Sequence, residues 1–419
     1  SLHDALPIYI SKDKLQRHKK YFDEYIIPKI ETLYANVDSL ECLSDLGIRN
    51  NPSELRRLRK LLKLFLYYRK QLAIGKQEQL RKIHKIIKRK KYDDLIVKYP
   101  KIKDKLEKIF GYGDTFCSDC GVQLLEKAKD AAQRDHGSPI YRYHNPQVLK
   151  KVREILRDYD SGLEIEFDKE LKKLSPSAIN KDALAKILSK LLLGWLCEKK
   201  APIRINNFPE WNPYIMQFAQ GIRTCPYCNR QYITAFYSEN GKMRADLDHF
   251  FPISKYVYFA MSIYNLVPCC KYCNTIKSDH EFQKEEGSPY EISLNDLAFF
   301  RYDLGFSANE KKLKLITKSN SDKSRELVNA YNQMFHLEEI YRTHEDLACN
   351  FMEKHYKYSP TRVSALLKSG IFASEKEIYK LVTGNICKEQ EILDDPLNKL
   401  KRDMVEQFFG KRVLRMVAE

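Results

Sequence analysis

The chain has 419 residues, with 73 Lys and Arg against 56 Asp and Glu for a formal net charge of +17, and 43% of its residues are hydrophobic. That balance excludes disorder as the default reading, leaves room for two or three cores, and favours a polyanionic partner, nucleic acid first. A basic surface that serves only solubility is the plainer alternative.

No apolar run approaches the roughly 20 residues that span a bilayer, and no basic and apolar leader opens the chain, so a cytoplasmic protein without a membrane partner is expected. Eleven cysteines, an odd number, point to reduced thiols or metal ligands rather than a disulfide framework.

Residues 1–10, SLHDALPIYI, begin without Met and are set aside as disordered or extraneous to the fold. From 12 to 110 the pattern is helical, with Leu55, Leu58, Leu62 and Leu66 at three- and four-residue spacing and Asn51-Pro52 as a start signal. In RKIHKIIKRKK, residues 81–91, Ile83, Ile86 and Ile87 share a face and basic residues fill the rest. Such a helix can lie along a phosphate backbone, although a basic run is more often simply a solvated face.

Gly111, Gly113, Gly121, Gly137 and Pro139 mark residues 111–146 as a loop-rich connection. Within it Cys117 and Cys120 form a Cys-x-x-Cys pair that His136 and His144 could complete, a weaker metal signal than cysteines in a loop or core. Helical periodicity resumes at 145–160 and 180–200. After Cys225-x-x-Cys228, the run Gln231 to Tyr237 favours a strand, and residues 242–250 can return as its hairpin partner before a helix near Cys270. Two short strands at 297–304 and 311–318 and further helices complete the chain.

Cys225 and Cys228 with Cys270 and Cys273 supply four thiolates in two knuckles, the set that structural Zn²⁺ prefers. Cys269 is a spare that would break the two-residue spacing. Between and beside the knuckles lie Asp248, His249, Asn265 and Asn274. Hydrolysing a phosphodiester needs an activated water and a cation for the charge that builds on phosphorus. His249 is the candidate general base, and Asp248 and Asn274 offer the hard oxygens that Mg²⁺ or Mn²⁺ takes. Singly, a core histidine and a surface acid would be the better readings; the set as a whole favours chemistry.

CPYCNRQYI, DLDHFFPISKY, YNLVPCCKYCN and TIKSD resemble the HNH endonuclease superfamily in an HNN form, close to the RNA-guided HNH nucleases. The resemblance implies a ββα-metal (His-Me finger) module, with His249 as base, Asn265 holding the loop, and Asp248 and Asn274 on the divalent ion. It also implies phosphate contacts from Lys277, to which Arg230 and Lys271 add nearby charge, and double-stranded DNA as the expected substrate. More weakly, residues 335–346 and 383–404 resemble prokaryotic phage-defence and mobile-element HNH proteins of Septu-type and retron-associated loci, which implies an ATPase partner.

The expected fold is therefore α+β and mostly α-helical. A helical region at 11–205 precedes an HNH domain at 206–285, and a mixed, mainly helical region at 286–419 follows.

Overall fold

The computed structural model describes residues 8–48, 51–111, 120–198, 213–238, 241–282, 287–303, 313–319 and 321–418. Its first helices are α1 (Lys12–Tyr25), α2 (Ile27–Asn36), α3 (Pro52–Tyr67), α4 (Gln77–Arg89) and α5 (Pro100–Phe110). Asn51 does start α3: its side chain accepts from Glu54 N at 3.3 Å, and Pro52 occupies the first turn. Leu58, Leu61, Leu62 and Phe65 form its fully buried stripe, so the apolar face is rotated slightly from the leucine row read in the sequence. Ile8 and Ile10, set aside with the first ten residues, are buried in the core.

The connection expected at 111–146 is in part a helix, α6 (Cys120–His136), followed by α7 (Pro146–Tyr159), α8 (Ser161–Lys172) and α9 (Lys181–Glu198). Gly121 is not a breaker here. A Cβ on it would lie 2.0 Å from Ala185 O, so glycine is what allows α6 to close on α9, where Gly121 N donates to Ser189 Oγ at 2.9 Å. Cys117 lies outside the described residues, and His136 and His144 are both exposed.

After α10 (Pro213–Gln220) come three short strands, β1 (Phe236–Ser238), β2 (Gly241–Met243) and β3 (Asp246–His249). β1 pairs with β2, whereas β3 pairs antiparallel with β4 (Leu266–Cys269), placing His249 opposite Leu266 and Asp246 opposite Cys269. The single returning strand expected at 242–250 is thus two strands with different partners. The break falls at Ala245, whose N–H donates to Gln217 Oε1 at 2.8 Å instead of to a neighbouring strand.

Helix α11 (Lys271–Lys277) follows β4 directly, so two paired strands and a helix are contiguous through a long loop, residues 250–265. The C-terminal part contains the antiparallel pair β5 (Ala298–Tyr302) and β6 (Leu313–Thr317), then α12 (Asp322–Phe335), α13 (Glu345–Lys357), α14 (Glu375–Thr383) and α15 (Asn398–Ala418, kinked at Gly410). The chain is α+β and mostly helical, and no helix among the described residues is long and apolar enough to cross a membrane.

Among the described residues one buried apolar cluster has members in all three regions. The N-terminal helices reach the 250–265 loop through polar contacts as well. His18 on α1 is fully buried, with Nε2 2.7 Å from Met261 O, and Phe65 packs on Tyr258 with ring centroids 5.7 Å apart. Burial pulls the His18 imidazole down from 6.5 to about 4.

A group whose protonation is suppressed only in the fold costs stability once the unfolded chain can take up the proton. The contribution of His18 to stability should therefore be level above pH 6.5 and fall by up to about 3 kcal/mol as pH drops toward 4. Denaturant melts of the wild type and His18→Gln between pH 4 and 7 check this, the variant showing the shallower decline.

Candidate metal and catalytic site

The first knuckle turns on Asn229, which adopts a positive φ of 46° and donates its N–H to Cys225 O at 2.7 Å. Its side chain ties the turn down: Nδ2 donates to Thr224 Oγ1 and Ile392 O at 3.0 and 2.8 Å, and Oδ1 accepts from Lys399 N at 2.8 Å. The second knuckle opens α11, where Cys270 caps the helix by accepting from Cys273 N. Cys225, Cys228, Cys270 and Cys273 are all buried, and their sulfurs lie within 4.8 Å of one another. Among the described residues they form the one such cluster that could hold a metal ion.

A tetrahedral ion with sulfur bonds of about 2.3 Å sets its ligands about 3.8 Å apart. The Cys228 and Cys270 sulfurs are 3.9 Å apart, so size and chemistry suit a soft ion such as zinc. Burial pushes the Cys225 thiol well up, while hydrogen bonds from Cys225, Cys228 and Cys273 hold Cys270 far down. Four thiolates cannot coexist there without a cation to offset them. Cys269, the spare, is buried beside the set but outside it, with its thiol likewise pushed up by burial.

Alternation along β3 decides which residues meet α11. Asp246 and Asp248 point to one side, where Asn274 and Lys277 stand one helical turn apart. Asn274 Nδ2 donates to Asp246 Oδ2 at 3.0 Å, and Lys277 Nζ donates to Asp248 Oδ1 at 2.9 Å and to His249 O at 2.7 Å. Tyr227, inside the first knuckle, donates its hydroxyl to Asp248 Oδ2 at 2.6 Å.

Asp248 is 3% exposed and Lys277 is fully buried. Burial raises the Asp248 carboxyl pKa, and the Lys277 ammonium works against that rise. The pair expected to take a divalent ion, Asp248 with Asn274, is therefore not brought together. Both Asp248 oxygens are held by protein donors, and the acid that meets Asn274 is Asp246, a neighbour that the sequence reading passed over. Lys277, expected at a phosphate, is spent on Asp248.

His249 lies on the opposite side of β3, half-buried, with Nε2 3.0 Å from Ala260 O. A carbonyl can only accept, so Nε2 carries the proton and the basic lone pair falls on Nδ1. Burial lowers its pKa from 6.5 to about 4, so the ring is neutral at pH 7. The loop that presents Ala260 is stapled by the fully buried Asn265, whose Oδ1 accepts from Phe251 N at 2.7 Å. Its Nδ2 donates to Phe251 O and Phe259 O at 3.1 and 3.0 Å.

Arg230 is turned to His344, with Nε 3.1 Å from His344 Nε2, while Lys271 is exposed. Comparison with protein-family models, curated proteins and solved structures returned no match to this chain.

Removing one partner of a buried ion pair leaves the other uncompensated. Lys277→Met should cost about 3–5 kcal/mol of stability. Combining it with Asp248→Leu should cost less than the sum of the two single changes when unfolding is followed in urea.

Proposed function

We propose that this chain is an endonuclease of the HNH type that hydrolyses phosphodiester bonds, with double-stranded DNA as substrate. The observation that carries the reading is the setting of His249. It stands at the end of β3 with its tautomer fixed by Ala260 O of a loop locked by Asn265, and the helix packed on β3 carries half of a four-cysteine cluster.

In this reading His249 Nδ1 accepts the proton of the water that attacks phosphorus. A base held near 4 is weak at neutral pH. The anionic substrate would strengthen it, because a nearby negative charge favours the imidazolium. Asp248, Lys277 and Tyr227 brace β3 against α11 and the first knuckle and so hold His249 in place. The four cysteines would hold Zn²⁺ in a structural role. Mg²⁺ or Mn²⁺, when bound, would stabilise charge on the phosphorane. Asp248 as placed does not fit that ion.

One observation favours a rival, a catalytically silent nucleic-acid-binding module: Asp248 and Lys277 neutralise each other. Plasmid incubated with the purified chain and Mg²⁺ or Mn²⁺ separates the two. Cutting is expected, and its absence under every condition supports the silent module.

His249→Ala should lower the cutting rate by about 10²–10⁴ with metal content unchanged and a loss of stability of about 1–2 kcal/mol from the missing bond to Ala260 O. Cutting that survives this change removes His249 from the role of base. Cys225→Ser should release the metal and abolish cutting together, as read by metal analysis alongside the plasmid assay.

A further inference from the structure

Helix α4 is seated on the loop that fixes His249. Gln77 Nε2 donates to Ser288 Oγ at 3.0 Å and, closely, to Tyr264 O; Arg81 holds Glu291 through two bonds of 3.0 and 2.6 Å. His84 Nδ1 lies 2.9 Å from Tyr258 Oη, and its ring meets Tyr256 edge-on at 4.8 Å. Gln77, Arg81 and His84 follow one another at four- and three-residue steps, so they form a single row along the helix, and Lys88 extends it. The adjoining row, Glu78, Lys82, Lys85 and Arg89, faces solvent, while Leu80, Ile83 and Ile87 are buried on the opposite side.

What separates α4 from an ordinary solvated face is the density of its unmatched charge. Other helices pair some of their lysines, Lys20 with Glu24 on α1 and Lys169 with Glu166 on α8, and their unmatched ones are more widely spaced, as Lys101, Lys105 and Lys108 are on α5. On α4 Lys82 pairs with Glu78 at 2.7 Å, and there the pairing stops. Lys85, Lys88 and Arg89, with Lys90 just beyond, are exposed and have no ion-pair partner among the described residues. Uncompensated cations in a row repel one another, and a polyanion relieves that repulsion.

We propose that the exposed cations at the end of α4, Lys85, Lys88, Arg89 and Lys90, are a docking surface for the phosphate backbone of duplex DNA, laying the duplex along the 250–265 loop. Only the last consequence, that the bound strand then lies beside His249, rests on the nuclease reading. Residues 85–90 cover about 8 Å of helix axis at about 1.5 Å per residue, a length over which a duplex presents about four to five phosphates on its two strands. A rigid row suits a duplex better than a single strand, which is held by aromatic stacking that this face does not offer.

The test is fluorescence anisotropy with a labelled duplex of about 30 base pairs and no added divalent ion, so that binding is read without cutting. The variant carries Lys85→Gln, Lys88→Gln, Arg89→Gln and Lys90→Gln, all exposed changes, with its melting midpoint as the check on folding. A matched control carries Lys29→Gln, Lys101→Gln, Lys105→Gln and Lys108→Gln, which line an open groove of about 1090 Å³ between α2 and α5.

The α4 variant should lose about tenfold or more in affinity at about 0.1 M salt, its log–log salt slope should flatten by about 3 to 4, and the control should change less than about threefold. Wild-type binding by the α4 variant overturns the proposal. So does an equal loss in the control, or tighter binding of a single strand of the same length. A chain that binds through α4 and never cuts plasmid sinks the nuclease reading and leaves the docking surface standing.

Discussion

The buried carboxylate of Asp248 is the constraint around which the centre of the molecule is arranged. A charge taken out of water must be matched by donors, and this one is matched from two directions: the Tyr227 hydroxyl from the first knuckle and the Lys277 ammonium from α11. The same ammonium reaches His249 O, so strand, helix and knuckle are held at a single point. Tyr227 also stacks on Phe335 of α12, with ring centroids 4.5 Å apart, which carries the constraint outward into the C-terminal helices. Cysteine cluster and strand end are thereby coupled through side chains as well as through the adjacency of Cys273 and Asn274.

Much of this was legible in the residues. Paired cysteines at fixed spacing, Asn51 followed by Pro52, and the β-favouring runs near 298 and 313 each leave a local signature, and each stands where it was read. The errors came from signals whose meaning depends on distant neighbours. Gly121 has the look of a breaker until Ala185 comes within 2.0 Å of its missing Cβ, when it becomes the condition for two helices to pack.

Asp246 and Asp248 are chemically identical and two residues apart, and nothing local says which meets an amide and which an ammonium. That choice is set by the register of α11 against β3. The contacts of His18 and Gln77 with the loop span 243 and 187 residues, beyond the reach of any pattern rule.

The N-terminal helices, which resemble no known family and for which the sequence suggested only a phosphate contact at residues 81–91, pack on the loop beside His249. His18 holds Met261 O while His249 holds the adjacent Ala260 O, so two imidazoles far apart in sequence grip consecutive peptides. The setting of His249 is then a property of the whole fold, because the loop whose carbonyl fixes its tautomer is held by α1 and α4. Regions 11–205 and 206–285 share one apolar cluster and these polar ties, as expected of parts that act as one body.

The bonds of Asn229 have a consequence for how the chain assembles. The sulfurs of Cys228 and Cys270 are 42 residues apart, whereas the knuckle's brace at Lys399 lies 170 residues on. During synthesis all four cysteines leave the ribosome well before α15 exists. An ion captured then would close the shorter loop first, meeting its entropic cost early, and the distant brace would dock on a turn already formed. Order of synthesis and order of loop closure thus run the same way, and metal supply would set the pace of folding.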